Sequence, residues 1–80
     1  MDTKEEINRT ISIRLAALCG SKSINPGDLA EAVGLSRSQI NRILAAKAAM
    51  SAAHLVLAAK RIGVTTSVIT NEEKFGERSR

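Results

Sequence analysis

Arg37, Ser38, Asn41 and Arg42 crowd into one short stretch, "SRSQINRIL", and every one of them can donate a hydrogen bond. On a helix those four, with Ala45, share one side, while Ile40, Ile43 and Leu44 share the other. Positive charge combined with directional donors suits recognition of an anionic surface rich in acceptors. It does not suit bond breaking. No nucleophile stands beside a base, no carboxylate dyad is visible, and no glycine-rich loop could cradle a phosphate, so an enzyme is not expected. The lone Cys19 and lone His54 lack further ligands at metal spacing, so neither a metal nor any other cofactor is expected. Cys19 reads as a small buried hydrophobe and His54 as a surface or capping residue.

Charge distribution sharpens this reading. The net charge is +4 over 80 residues. From Ala32 to Asn71 there is no Asp or Glu, yet Arg37, Arg42, Lys47, Lys60 and Arg61 lie inside that span. A solvated helix usually gains from acid–base pairs three or four residues apart. The stretch after Ser36 has no acid to make them. A polyanionic partner near the middle of the chain is therefore expected.

Those residues need a frame, and the capping signals supply one. "TKEE" places Thr3 as N-cap and Glu6 three residues on, opening a helix from about Lys4 to Cys19 with Ile7, Ile11, Leu15 and Leu18 as its stripe. Gly20 is expected to end it, and Ile13 falls off the stripe. Asn25 caps a second helix with Pro26 in the first position and Asp28 at the positive end of its dipole. Ile24 and Leu29 would staple its start. Leu29, Ala30 and Val33 face inward, and Gly34 supplies a left-handed stop. Ser36 and Gln39 open the third helix after only Gly34, Leu35 and Ser36, with Leu35 plugging the corner. Ser51 caps a fourth helix with Leu55, Ala58, Ala59 and Ile62 inside, ended by Gly63 and closed by Val64. "TTSVI" allows one more short turn.

The expected fold is all-α: a bundle of four to five short helices over residues 1–70, followed by a charged tail over 71–80 that holds the only aromatic, Phe75. The absence of long apolar runs and the acidic, polar start argue against a membrane span or a secretory signal, so a reducing cytoplasmic setting is expected.

"LAEAVGLSRSQINRIL" resembles the helix-turn-helix segment of lambda-type phage repressors, Cro proteins and bacterial regulators of the xenobiotic-response-element type. Leu29, Ala30, Val33, Gly34, Leu35, Ile40 and Ile43 carry the likeness. "HLVLAAKRIGV" is similar to the family's fourth helix at Leu55, Ala59, Ile62 and Gly63, so the resemblance covers roughly residues 7–69. It implies a sequence-specific double-stranded DNA-binding regulator, a phage-type or bacterial repressor acting in a bacterium or an infected host cell. Its third helix would enter the major groove. Arg37, Ser38, Asn41 and Arg42 would then read base edges, and Asn25, Gly27, Gln39 and Lys47 would meet the DNA backbone. The pattern departs from the family at Pro26, where a polar residue is common, and at Ala46 and Ala48, where a glycine and a basic residue are. Dimerisation on paired half-sites is a further expectation, with Ile13, Val56 and Leu57 as a candidate partner surface. No small-molecule substrate is implied. The competing reading is an antitoxin-like, protein-binding module, which a stoichiometric protein partner without salt-sensitive DNA binding would reveal.

Overall fold

Four side-chain oxygens, each three residues ahead of the amide it accepts from, start four of the helices. In the computed structural model, which describes residues 3–70, the helices are α1 (Lys4–Ser21), α2 (Pro26–Val33), α3 (Arg37–Leu44), α4 (Ala52–Ile62) and α5 (Thr66–Thr70). Thr3 Oγ1 accepts from the Glu6 amide at 3.1 Å while Glu6 Oε1 accepts from the Thr3 amide at 2.8 Å. Asn25 and Asp28 form the same reciprocal pair, as do Ser36 and Gln39. Ser51 Oγ accepts from the His54 amide at 3.2 Å. Each cap satisfies donors that the first turn leaves without a partner. The 71–80 tail and Phe75 lie outside the described residues.

The C-terminal ends share a second device, in which a residue of positive φ lets two amides fold back onto the last turn. Gly34 (φ 77) and Gly63 (φ 90) do this for α2 and α4. After Gly34 the Leu35 amide reaches Ala30 O at 3.0 Å, and after Gly63 the Val64 amide reaches Ala59 O at 3.0 Å. Gly20, by contrast, does not end α1, which runs on to Ser21. Ser23 takes the left-handed position instead, at φ 59. The Ile24 amide then bonds Cys19 O at 2.9 Å, turning the Ile24 side chain into the core. The point at which Ile24 must turn inward sets the end of the helix, not the glycine four residues earlier. α3 closes the same way, with Ala46 at φ 62 and the Lys47 amide on Arg42 O at 2.8 Å.

Leu15, Leu29, Ile40 and Ile69, one each from α1, α2, α3 and α5, are fully buried at the centre. α4 adds Ala58, Ala59 and Ile62, and Leu35, Leu55 and Val64 pack partly buried against this core. Alanines on α4 and Ala30 on α2 allow those two helices to lie in contact. The α1 stripe is rotated from the expected one. Ser12, Leu15 and Cys19 are its buried residues, Ile11 and Leu18 are only partly covered, and Ile7 is 44 % exposed. An 18-residue helix outreaches the eight-residue α3 and five-residue α5 that pack on it, so its first turn has little to pack against. Cys19 is buried as expected. Burial pushes its thiol pKa up, opposed in part by the charge of Arg61.

Left-handed backbone costs a side-chain-bearing residue roughly 1 kcal/mol or more. We expect Ala46→Gly to stabilise the fold by about 1 kcal/mol, raising Tm by roughly 4–8 °C in a domain of this size. Gly34→Ala should lower stability by a similar amount through backbone strain alone, because a Cβ there meets nothing within 4 Å. Thermal unfolding followed by circular dichroism checks both. Cys19 favours its protonated form in the fold, so its contribution is intact below the ordinary thiol range and is lost as pH rises through its raised folded value. Denaturant midpoints measured from neutral to alkaline pH should fall in wild type more than in Cys19→Ala.

Candidate nucleic-acid interface

Burial of Ile40 and Ile43 decides what α3 shows to solvent. Ile40 is 0 % exposed and Ile43 nearly so, with Leu44 partly covered behind them. Helical geometry therefore turns Arg37, Ser38, Asn41, Arg42 and Ala45 outward, and all five are exposed. The Ser36–Gln39 cap fixes where the helix begins, and hence the phase of that face, through bonds of 3.0 and 2.9 Å. Arg42 leans back so that Nη2 donates to Lys47 O at 3.4 Å, a long bond that leaves most of the guanidinium's donors unused. From residue 32 to residue 70 the chain has no carboxylate to neutralise these cations.

The expected backbone-contacting residues are distributed unevenly. Gln39 lines a groove with Arg42, Ser51 and His54, and Lys47 is exposed in the turn that follows α3. Asn25 and Gly27 stand apart from that groove, at the start of α2. Gln39 Oε1 and Asn25 Oδ1 both accept from cap amides, so each side chain keeps its NH2 as the part able to donate outward. Gly27 is half-buried, and a Cβ there would come within 3.2 Å of Asn25 Oδ1, pressing on the cap. The Asp28 carboxylate caps the same turn and weakens its pull on an anion. The α2 end is the weaker half of this set.

Two residues that hold the face in place escape notice in the sequence. Ser12 of α1 is buried and its Oγ donates to Ile43 O at 2.6 Å, tying the end of α3 to a helix 31 positions away. Arg14 Nε donates to Val68 O at 2.6 Å, tying α5 to α1. A spacing of Ser12, Leu15 and Cys19 was available as a signal, but a serine between isoleucines reads as the polar side. Among the described residues every buried side-chain nitrogen and oxygen has a partner.

His54 sits in the first turn of α4, where its amide donates to the capping Ser51 Oγ and its Nδ1 lies 3.0 Å from the same oxygen. Among the described residues no cluster of three His, Cys, Asp or Glu could hold a metal, and no helix is long and apolar enough to cross a membrane.

Comparison with known families matches residues 15–69, from Leu15 in α1 to Ile69 in α5, to a helix-turn-helix family model. The chain belongs to this helix-turn-helix family, of the lambda-repressor and xenobiotic-response-element type, whose members are DNA-binding regulatory domains. The five helices of the described residues form the all-α fold of that family. No curated protein and no solved structure gives a significant match.

Ile43 O also accepts from the Ala46 amide at 3.0 Å, so loss of the Ser12 hydroxyl does not orphan it. Ser12→Ala should therefore cost only about 1 kcal/mol, the net worth of one bond rather than a full desolvation penalty. Urea unfolding should show a lower midpoint with an unchanged m-value.

Proposed function

We propose that this helix-turn-helix protein is a transcriptional repressor of the phage or bacterial kind that docks α3 in the major groove of double-stranded operator DNA. By covering a promoter it would block transcription in the cytoplasm of a bacterium or an infected host. The observation that supports this most is the outward, acid-free face of α3, held rigidly by Ile40 and Ile43. Arg37 is the leading base reader, because arginine can donate two bonds to guanine O6 and N7. Asn41 suits adenine, Ser38 adapts to either kind of edge, and Arg42 divides between base and phosphate. Lys47 and Gln39 engage phosphates after and beside α3, with Asn25 and Gly27 as a lesser contact at α2.

One domain of this size offers few phosphate contacts, so affinity would come from a homodimer on half-sites one helical turn apart. Exposed apolar side chains, Val56 and Leu57 at 43 % and 41 % on α4 and Ile13 at 61 % on α1, support self-association. Sedimentation with and without DNA tests it, and a monomer in both at high micromolar concentration would remove it.

Selection of bound sites from a random duplex pool would give the operator sequence and its half-site spacing. On the selected site, Arg37→Ala should weaken binding by about 1–3 kcal/mol and relax preference at one base pair. Lys47→Ala should weaken selected and random duplexes alike and reduce the salt slope by about one unit. An unchanged ratio of specific to random binding in Arg37→Ala would remove that residue as a base reader.

A further inference from the structure

The groove between α3 and the start of α4 holds a titratable group that the reading above leaves unused. Gln39 and Arg42 line it from α3, Ser51 and His54 from α4, and Leu35 and Ile43 supply apolar lining. Its volume is about 320 Å³, and its lining contains no carboxylate. Arg42 belongs both to this groove and to the exposed face of α3, so the two surfaces are continuous. An anion lying along that face could therefore reach the imidazole.

We infer that His54 is a proton-gated contact to the DNA backbone: once protonated, it shares with Arg42 a phosphate seated in this groove, so that DNA binding tightens in mildly acidic solution. This rests on the DNA-binding reading. Ser51 Oγ accepts from the His54 amide and lies 3.0 Å from Nδ1, which orients the ring and leaves Nε2 for a ligand. In the Nε2–H tautomer of the neutral ring the serine hydroxyl donates to Nδ1; after proton uptake Nδ1–H donates to Oγ. Nε2–H donates to the anionic phosphate oxygen before and after proton uptake, and protonation turns that contact from a charge–dipole bond into an ion pair. Linkage runs both ways, so binding of the phosphate draws a proton onto the protein.

The charged surroundings favour this assignment. Arg42 is the charged side chain lining the groove, and it also bonds the carbonyl of Lys47 in the adjoining turn. The α2 carboxylates Asp28 and Glu31 line a different groove with Arg61, at the far end of α4. From α1, Asn8, Ile11 and Ser12 line a small adjoining pocket that shares Ile43, Ala48 and Ala49 with this groove and brings no charged side chain to it, and α5 contains no ionisable side chain. With no acid lining the groove, an incoming phosphate would be the counter-charge of the imidazolium.

His54 is the chain's one histidine, and histidine is the side chain that ordinarily changes charge between about pH 5 and 8. The test is fluorescence anisotropy of the full chain on a mixed-sequence duplex at matched ionic strength, at about pH 7.5 and about pH 5.5. Wild type should bind about three- to tenfold tighter at the lower pH, with a salt slope steeper by about one unit. His54→Gln keeps a side chain able to complete the Ser51 cap, as Gln39 does for Ser36, and should show little of that pH response. His54→Lys should bind with the steeper slope at both pH values. Parallel pH responses in wild type and His54→Gln, with DNA still bound, would overturn this inference alone. No binding by wild type at either pH would overturn the DNA-binding reading and this inference with it.

Discussion

An eight-residue helix cannot hold itself together in water, and α3 exists because Ile40 and Ile43 are buried. That single constraint also sets its direction. With one side seated on the core, the opposite side has no choice but solvent, and the residues carried there are cationic and amide-bearing. Stability and presentation are two consequences of one packing contact. α2 adjoins α3 through a three-residue turn, and Ser12 of α1 holds its far end through a buried hydrogen bond. The helix is pinned at its start, along its inner face and at its close.

Such pinning asks for small residues and unusual backbone, and the chain meets the two demands differently. Close approach is met fully, by Ala30, Ala58 and Ala59 where helices touch. Left-handed backbone is met with glycine at Gly34 and Gly63 but with side-chain-bearing residues at Ser23 and Ala46. Ala46 lies at the end of α3, beside Lys47. The strain there sits next to the surface proposed to meet DNA, and the paired amide closure onto Arg42 O and Ile43 O offsets it.

The candidate interface is built from groups that already have structural duties. Gln39 and Asn25 accept cap amides through their oxygens, Ser51 and His54 form a cap at α4, and Arg42 leans on the Lys47 carbonyl. These bonds restrict side chains before any partner arrives, which lowers the ordering cost of binding. The long run without acids keeps the restricted groups uncompensated. At α2 the Asp28 carboxylate performs the capping that an anion could otherwise do, so charge and capping compete there.

Whatever depended on neighbours three or four residues apart was legible without coordinates. The Thr3, Asn25, Ser36 and Ser51 caps, the Gly34 and Gly63 stops, and the inward sides of α2, α3 and α4 all follow from local hydrogen bonds and a clear apolar stripe. The outward set on α3 followed from the same periodicity. Tertiary structure decided the rest. α1 carries isoleucine or leucine on several sides, so its own pattern does not single out a buried stripe, and only its contacts with α3 and α5 select Ser12, Leu15 and Cys19. α1 runs past Gly20 to Ser21, and the left-handed position falls on Ser23, because Ile24 had to enter a core assembled by other helices. Ser12 on Ile43 O, Arg14 on Val68 O and the groove that joins Arg42 to His54 each unite residues distant in the chain. Local signals end within about one helical turn, whereas these partners meet only after the core has closed.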